Sequence, residues 1–257
     1  MEAGICTLSV IPVRADASDK AEMVTQVLFG EHFEILEKQK NWLRIRLAFD
    51  GYEGWIDAKQ STPIKDDDFV FLNKNTVHVA NDIVQYAVFY EKMHIPILMG
   101  SSLPFYDNKK FRIAENQFTY EGEVLSFEFP NKKLIMETIF QYLNAPYLWG
   151  GRSIFGIDCS GFTQVVFKIS GMKLKRDANQ QAEQGITIEL LENAEPCDLL
   201  FFDNEEGKIV HVGILIKPGK IIHASGCVKI DDIDHHGIFN KELNKYTHTL
   251  RLIKRMI

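Results

Sequence analysis

The sequence lacks paired cysteines, long apolar runs and an excess of positive charge. Its four cysteines are widely separated and form no CxxC pair, so neither a zinc ribbon nor a disulfide framework is indicated. No segment approaches the roughly 18 apolar residues that cross a bilayer, and the chain does not open on a basic leader followed by an apolar run. The formal net charge of -6 gives no basic surface for nucleic acid. We therefore expect free thiols, no membrane span and no nucleic-acid partner.

What the chain does contain is enough apolar material for more than one domain, with 257 residues of which 46% are hydrophobic. The first 60 or so residues alternate in stretches such as WLRIRLAF, the period of half-buried strands, and DG and EG supply turns. This pattern predicts a small antiparallel barrel over residues 1–62, ending near Pro63. Short apolar runs and turns continue to about Pro130, which predicts a second β module over residues 63–129.

The pattern changes after Pro130, where LIMETIFQYLNA has helical spacing and predicts a helix that ends before Pro146. A second helix is predicted from Cys159 to Ile169, with Gly171 as its end. Three apolar β runs follow: CDLLFF, IVHVGILI and KIIHAS. Helices followed by strands favour an α+β domain with an antiparallel sheet over residues 130–257.

Cys159 lies at the predicted start of the second helix, directly after Asp158, a good N-cap residue. The helix dipole at that position favours a thiolate, as a cysteine nucleophile requires. A lone cysteine in an apolar segment is more often a packed, inert thiol. The residues alone leave both interpretations open.

His211 and His223 lie on two consecutive predicted strands. A single histidine in a strand is more often a hydrogen-bonded core residue than a catalyst. On neighbouring strands, however, one imidazole can accept the thiol proton while the other orients it. The spacing allows this geometry and does not require it.

Four ordered motifs across about 80 residues resemble the catalytic domain of the NlpC/P60 cysteine peptidases: APYLWGGRSIFGIDCSGF, RDANQQAEQG, CDLLFF with HVGILI, and IIHASG. The resemblance implies a papain-like α+β fold and cleavage of amide bonds in bacterial cell-wall peptides. It makes Cys159 the nucleophile, His211 the general base and His223 the orienting residue. Tyr147 resembles the tyrosine that the family places near the oxyanion. No metal or organic cofactor is implied.

The N-terminal segments GYEGWID and AEMVTQVLFGE resemble bacterial SH3 domains. Two SH3-like β-barrel domains before an NlpC/P60 domain resemble the layout of γ-D-glutamyl-L-diamino acid endopeptidases of the dipeptidyl-peptidase VI type. The resemblance implies murein peptides with a free N-terminal L-Ala as substrates, and Glu22 and Tyr52 as the residues that recognise this amine. A carboxylate that pairs with an ammonium would discriminate against a blocked amine.

Asp158, Ser160 and Asp177 are further candidates for substrate binding. Each also has a structural explanation, because Asp158 and Asp177 precede predicted helices and Ser160 lies in a first helical turn. The nearly contiguous acidic residues and histidines of DDIDHH suggest a solvated turn and no metal site.

Two alternative functions stay open at this stage. The chain can be another cysteine amidase or acyltransferase on the same fold, or a non-catalytic protein that binds the cell wall. The sequence also leaves open lysine or diaminopimelate as the diamino acid, and a cytoplasmic or an exported location. Nothing in it indicates a protein partner, and we expect a monomer.

Overall fold

The computed structural model describes residues 2–75, 78–90, 92–126 and 129–257. The chain forms two compact units. Unit 1 comprises Met1–Phe129 and Trp149–Ile154, and unit 2 comprises Pro130–Leu148 and Phe155–Ile257. The chain therefore returns briefly to unit 1 after unit 2 has begun, which the predicted domain limits do not include. Among the described residues, no helix has the length and apolar character needed to cross a membrane.

The first part of unit 1 is an antiparallel sheet with the strand order β3-β2-β6-β5-β4-β1-β7. Alternation of buried and exposed residues along WLRIRL places Leu43, Ile45 and Leu47 in its core, as the period-two pattern predicts. Its strands are β1 Ala3–Ile5, β2 Val10–Arg14, β3 Met23–Leu28, β4 His32–Gln39, β5 Trp42–Leu47, β6 Glu53–Asp57 and β7 Thr62–Ile64.

The second part of unit 1 contains helix α1 and two small antiparallel sheets, of orders β10-β9-β12-β11 and β13-β8. Ile5 and Phe29 from the first part lie in its core with Phe111 and Phe118, so both parts contribute to this core, while the first sheet also has a core of its own. Its elements are α1 Asp66–Lys74, β8 Val79–Ala80, β9 Val84–Phe89, β10 Met93–Leu98, β11 Lys110–Ile113, β12 Asn116–Tyr120 and β13 Val124–Leu125.

Unit 2 contains three α-helices and an antiparallel sheet, as predicted for an α+β domain. The strand order is β16-β22-β17-β18-β19-β20-β21, and β21 also pairs with β22, which closes the strands from β17 to β22 into a ring and leaves β16 outside it. Its elements are α2 Lys132–Gln141, β15 Gly156–Ile157, α3 Cys159–Ile169, α4 Ala178–Gln181, β16 Ile186–Ile188, β17 Leu199–Asp203, β18 Ile209–Lys217, β19 Lys220–Ser225, β20 Cys227–Asp234, β21 Gly237–Asn240 and β22 Lys245–Arg255. Strand β14, Arg152–Ser153, belongs to unit 1.

The two predicted helices of unit 2 are confirmed. Asn131 caps α2 by accepting hydrogen bonds from the N–H groups of Lys133 and Leu134, and the helix ends before Pro146. Every residue of α3 is buried, which explains why its sequence is apolar on all sides. This central helix packs against β18 and thereby positions its first residue, Cys159, beside the sheet.

The segment Trp149–Ile154 is anchored in unit 1 by a buried arginine. Arg152 is fully buried, and its guanidinium forms two bonds to the Glu31 carboxylate, at 2.8 and 2.9 Å. It also donates to the Gln26 carbonyl at 2.7 Å, while the Arg152 N–H donates to the Gln26 side chain. A buried charge is costly unless it is paired in this way.

Replacing Arg152 by Met should destabilise unit 1 by about 3–5 kcal/mol, because the buried Glu31 carboxylate then loses its cation. All three tryptophans lie in unit 1, so urea unfolding followed by tryptophan fluorescence reports on this unit. Lys109→Met, which breaks an exposed ion pair with Glu121, is the control and should cost at most about 1 kcal/mol. Equal losses for the two variants would contradict the prediction.

Candidate active site

Helix α3 begins at Cys159 because Asp158 caps it. The Asp158 carboxylate accepts a hydrogen bond from the Gly161 N–H at 2.6 Å, as an N-cap residue does. The buried guanidinium of Arg176 holds the same carboxylate through bonds of 2.6 and 3.0 Å, and donates to the Ser160 hydroxyl at 2.8 Å. The first turn of the helix is therefore fixed on both sides of the cysteine.

The RDANQQ motif that contains Arg176 packs onto the same turn. Gln181 donates to the Ser160 carbonyl at 3.0 Å and accepts from Thr163 at 2.7 Å. Asp177 is the N-cap residue of α4, and its N–H donates to Gln180 at 3.2 Å. Asp158, Ser160 and Asp177 thus all have structural contacts, and their roles in substrate binding stay predictions.

The Cys159 side chain is buried, with 7% of its surface exposed. Burial, followed by the negative charge of Asp158, raises the pKa of its thiol to about 12. Backbone hydrogen bonds from Val212 and Ser160 and the charge of Arg176 act in the opposite direction and do not offset this. The contribution of the helix start is thus present and is outweighed by burial, which makes the Cys159 thiol less acidic than an ordinary cysteine.

His211 and His223 meet on neighbouring strands, as the sequence predicts. Strands β18 and β19 are antiparallel, with Gly213 opposite His223. The His211 Nε2 and His223 Nδ1 atoms are 2.8 Å apart, and both rings are buried. The backbone of Val212, the residue after His211, bonds to the Cys159 sulfur, so the thiol lies against β18 next to the position of His211.

Two further residues of this site were missed by sequence reasoning. Asp231 on β20 lies behind His223, with Oδ2 3.1 Å from His223 Nε2. His248 on β22 stacks on the His211 ring, with centroids 4.2 Å apart. Asp231 was considered only as one of several acids near a turn, and nothing in the sequence distinguished His248 from other strand residues. Asp231 and His248 lie near the two histidines because of the order in which the strands of the sheet pair.

Burial keeps the imidazoles neutral. It lowers the pKa of His211 well below the ordinary value, and the nearby His223, His248 and Lys229 lower it further. Burial also lowers the pKa of His223, although the hydrogen bond and charge of Asp231 act against this. A neutral His211 next to a neutral thiol is the protonation state in which the imidazole can accept the thiol proton.

Tyr147 also lies near the nucleophile. Its backbone N–H donates to the Gly226 carbonyl at 2.9 Å, which fixes its position at the start of β20. Burial, followed by the charges of Cys159 and Asp158, raises the pKa of its hydroxyl to about 12. The hydroxyl therefore keeps its proton and can donate a hydrogen bond.

Glu22 and Tyr52, the residues predicted to recognise an amine, both belong to unit 1. The exposed Glu22 carboxylate accepts a hydrogen bond from the Trp149 indole at 2.6 Å. Tyr52 is half-buried and packs on the core of the first sheet. Trp149 was not predicted to be functional, although it lies within the same PYLWGG motif as Tyr147 in sequence.

Comparison with known proteins places these elements in a family. Residues 144–247 match the NlpC/P60 family, and residues 13–60 match the bacterial dipeptidyl-peptidase Sh3 domain. The chain is 30% identical over 240 residues to a gamma-D-glutamyl-L-lysine dipeptidyl-peptidase of Bacillus subtilis strain 168, covering 86% of this chain and 74% of that protein. The chain belongs to the NlpC/P60 family.

Two other comparisons agree with this membership. A gamma-D-glutamyl-L-lysine dipeptidyl-peptidase of Bacillus cereus strain ATCC 10987 is 26% identical, over 79% of this chain and 67% of that protein. The crystal structure of an NlpC/P60 family protein from Bacillus cereus ATCC 10987 has the same fold, with a TM-score of 0.81, 18% identity and coverage of 99% of each chain. The resemblance that the motifs indicated is thus confirmed, and the chain is a cysteine peptidase and hence a hydrolase.

The family match contains most of the site. Tyr147, Cys159, His211, His223 and Asp231 lie within the NlpC/P60 region, and Glu22 and Tyr52 lie within the Sh3 region. His248 lies one residue beyond the first of these regions.

The lowered pKa values of the histidines predict that acid destabilises unit 2. An unfolded histidine binds a proton near pH 6.5, whereas the pKa of His248 is lowered to about 4 by burial and by the charges of His223 and Lys229. Between these values the unfolded state binds more protons, so the free energy of unfolding falls as pH falls, by up to about 1.4 kcal/mol per pH unit and group.

Hydrogen exchange of the α3 amides, corrected for intrinsic rates, measures this stability at about pH 7.5 and about pH 5.5. His248→Gln should reduce the loss on acidification, and His235→Gln, in an exposed turn, should leave it unchanged. An α3 protection that does not depend on pH would contradict the predicted direction.

Proposed function

We propose that the protein is an endopeptidase that hydrolyses the γ-D-glutamyl–L-diamino acid bond of murein peptides with a free N-terminal L-Ala. The observation that carries the chemistry is the buried bond of 2.8 Å between His211 and His223, in a site that also holds the Cys159 thiol. Two relatives are gamma-D-glutamyl-L-lysine dipeptidyl-peptidases, which supports the proposed scissile bond and favours lysine as the diamino acid.

In the proposed reaction, His211 accepts the Cys159 proton as the sulfur attacks the γ-carbonyl carbon. The oxyanion forms beside the start of α3, where the backbone N–H of Cys159 and the Tyr147 hydroxyl can donate hydrogen bonds. His211 then gives its proton to the departing amine, and a thioester remains on Cys159. Water, deprotonated by His211, hydrolyses the thioester and restores the thiol.

We further propose that Glu22, with Tyr52, binds the ammonium group of the N-terminal L-Ala. The hydrogen bond from Trp149 orients the Glu22 carboxylate, whose other oxygen can accept a hydrogen bond from the ammonium group. An acylated amine would present no positive charge to this carboxylate. The free amino terminus would then be a requirement for cleavage.

We also propose that unit 1 contains a second SH3-like module and that the catalytic domain has a papain-like arrangement. The sheets formed by β8 to β13 support a second SH3-like module within residues 63–129. A helix that starts at the nucleophile and packs against the strand of the base supports a papain-like arrangement of the catalytic domain.

Replacing Cys159 by Ala should lower the rate of lysine release from L-Ala-γ-D-Glu-L-Lys by about 1,000-fold or more, because it removes the covalent route. Cys197→Ala is the matched control, since this buried thiol bonds to the Lys132 carbonyl and has no place in the mechanism. A Cys159→Ala variant with full activity would exclude the mechanism. A wild-type protein that cleaves neither the lysine nor the diaminopimelate peptide would instead favour another amidase or acyltransferase reaction.

Replacing Glu22 by Gln should raise the KM for the free peptide by roughly 10- to 100-fold, the range expected when a hydrogen bond to a charged group is lost. The slow cleavage of the N-acetyl peptide should not change, because that substrate lacks the ammonium. Glu37→Gln, at another exposed carboxylate of unit 1, is the control. If Glu22→Gln affects both peptides equally, Glu22 does not recognise the amine.

A further inference from the structure

A row of three hydrogen-bonded side chains crosses unit 2 and ends at a carboxylate without an assigned role. His211 lies on β18, His223 on β19 and Asp231 on β20. The two contacts are 2.8 Å, from His211 Nε2 to His223 Nδ1, and 3.1 Å, from His223 Nε2 to Asp231 Oδ2. Both ring nitrogens of His223 are thus used, which restricts the positions of the protons.

The carboxylate determines the proton position on His223. An ionised carboxylate only accepts hydrogen bonds, and the neighbours of Asp231, namely His223, Lys229 and Asn240, favour its ionised form. The bond at 3.1 Å therefore requires the proton on His223 Nε2. A neutral imidazole has one N–H, so His223 Nδ1 carries a lone pair and accepts.

The same argument extends one residue further along the row. Because His223 Nδ1 accepts, the bond of 2.8 Å requires the proton on His211 Nε2. A neutral His211 then has its lone pair on Nδ1, the ring nitrogen on the other side from His223. A proton from the Cys159 thiol can only be accepted at this atom.

We propose that Asp231 is a positioning residue that selects the Nε2–H tautomer of both histidines and so makes His211 Nδ1 the atom that accepts the Cys159 proton. The roles of His211 and Cys159 in this statement rest on the proposed function. Asp231 itself neither touches the substrate nor takes the proton.

Asp231 also supplies negative charge behind the base. When His211 becomes an imidazolium, its Nε2–H bond to His223 and the His223 bond to Asp231 form a polarised chain that ends at the carboxylate. Neither of the titratable groups beside the row can supply negative charge: these are Lys229, with Nζ 3.6 Å from the Asp231 carboxylate, and His248, stacked on His211. Asp231 is the acidic group in this set.

The tautomers are measured directly by long-range ¹H–¹⁵N correlation spectra of the wild-type protein at neutral pH, with assignment by His211→Gln and His223→Gln. We expect the Nε2–H form for both residues. A proton on Nδ1 of either ring overturns the proposal. Because no substrate is involved, this result is independent of which peptide the enzyme cleaves.

The effect on the thiol is measured with Asp231→Asn, through iodoacetamide alkylation of Cys159 followed by mass spectrometry of its peptide. The Asn variant loses the charge behind the base, so the alkylation rate at neutral pH should fall roughly 10- to 100-fold. Its pH profile should move to higher pH, because the thiolate–imidazolium pair is less stable.

Asp232→Asn is the matched control. It removes the same charge from the next residue, which pairs with Lys220 and Lys241 instead, and it should leave the rate and the profile unchanged. Equal effects of the two variants, or no effect of Asp231→Asn, overturn the proposal. If Asp231→Asn does not fold, the tautomers of the wild-type protein still decide. Failure of the murein peptide as substrate, with the expected tautomers and alkylation rates, would reject the proposed function alone.

Discussion

Burial of the thiol and the imidazoles is the constraint on which the site depends. Cys159, His211 and His223 are 7%, 6% and 0% exposed, so water contributes little to stabilising any charge on them. Each group is therefore neutral at rest. A reaction through a thiolate and an imidazolium nevertheless requires both charges, and fixed protein dipoles must replace the missing water. The start of α3, the Val212 backbone and the row of polar side chains behind His211 provide these dipoles.

Asp158 has two opposing effects at the active site: it caps helix α3, and its negative charge disfavours the Cys159 thiolate. A carboxylate is needed to cap α3 directly before the nucleophile, yet its charge raises the pKa of the Cys159 thiol. The buried Arg176 guanidinium binds both carboxylate oxygens, and its charge lowers the pKa of the thiol again. The cap and its counter-ion thus stabilise the helix while reducing their net effect on the nucleophile.

The sequence predicted the parts of the site that lie in strongly patterned segments. The existence of α2, the limits of α3, the strands that carry His211 and His223, and the position of Cys159 at a helix start follow from local periodicity, caps and turns. Asp231, His248 and Trp149 could not be found in this way, because their contacts depend on which strands pair and on the return of Trp149–Ile154 to unit 1. The pKa of Cys159 was also beyond prediction, since the helix position was visible in the sequence and the extent of burial was not.

The register of the sheet explains why the row runs diagonally across three strands. Gly213 lies directly opposite His223, and an added Cβ there would lie 2.7 Å from Ile221 Cδ1 and 3.0 Å from the His223 Cβ. His211 lies two residues from Gly213 on the same face of the sheet. On the other side Lys229 lies opposite His223, and Asp231, again two residues along, receives the bond. Diagonal neighbours in a sheet are about 7–8 Å apart, a separation that side chains as long as histidine can span. A side chain at position 213 would crowd Ile221 and His223 on β19, so the glycine lets this strand lie close to β18 where the row crosses it.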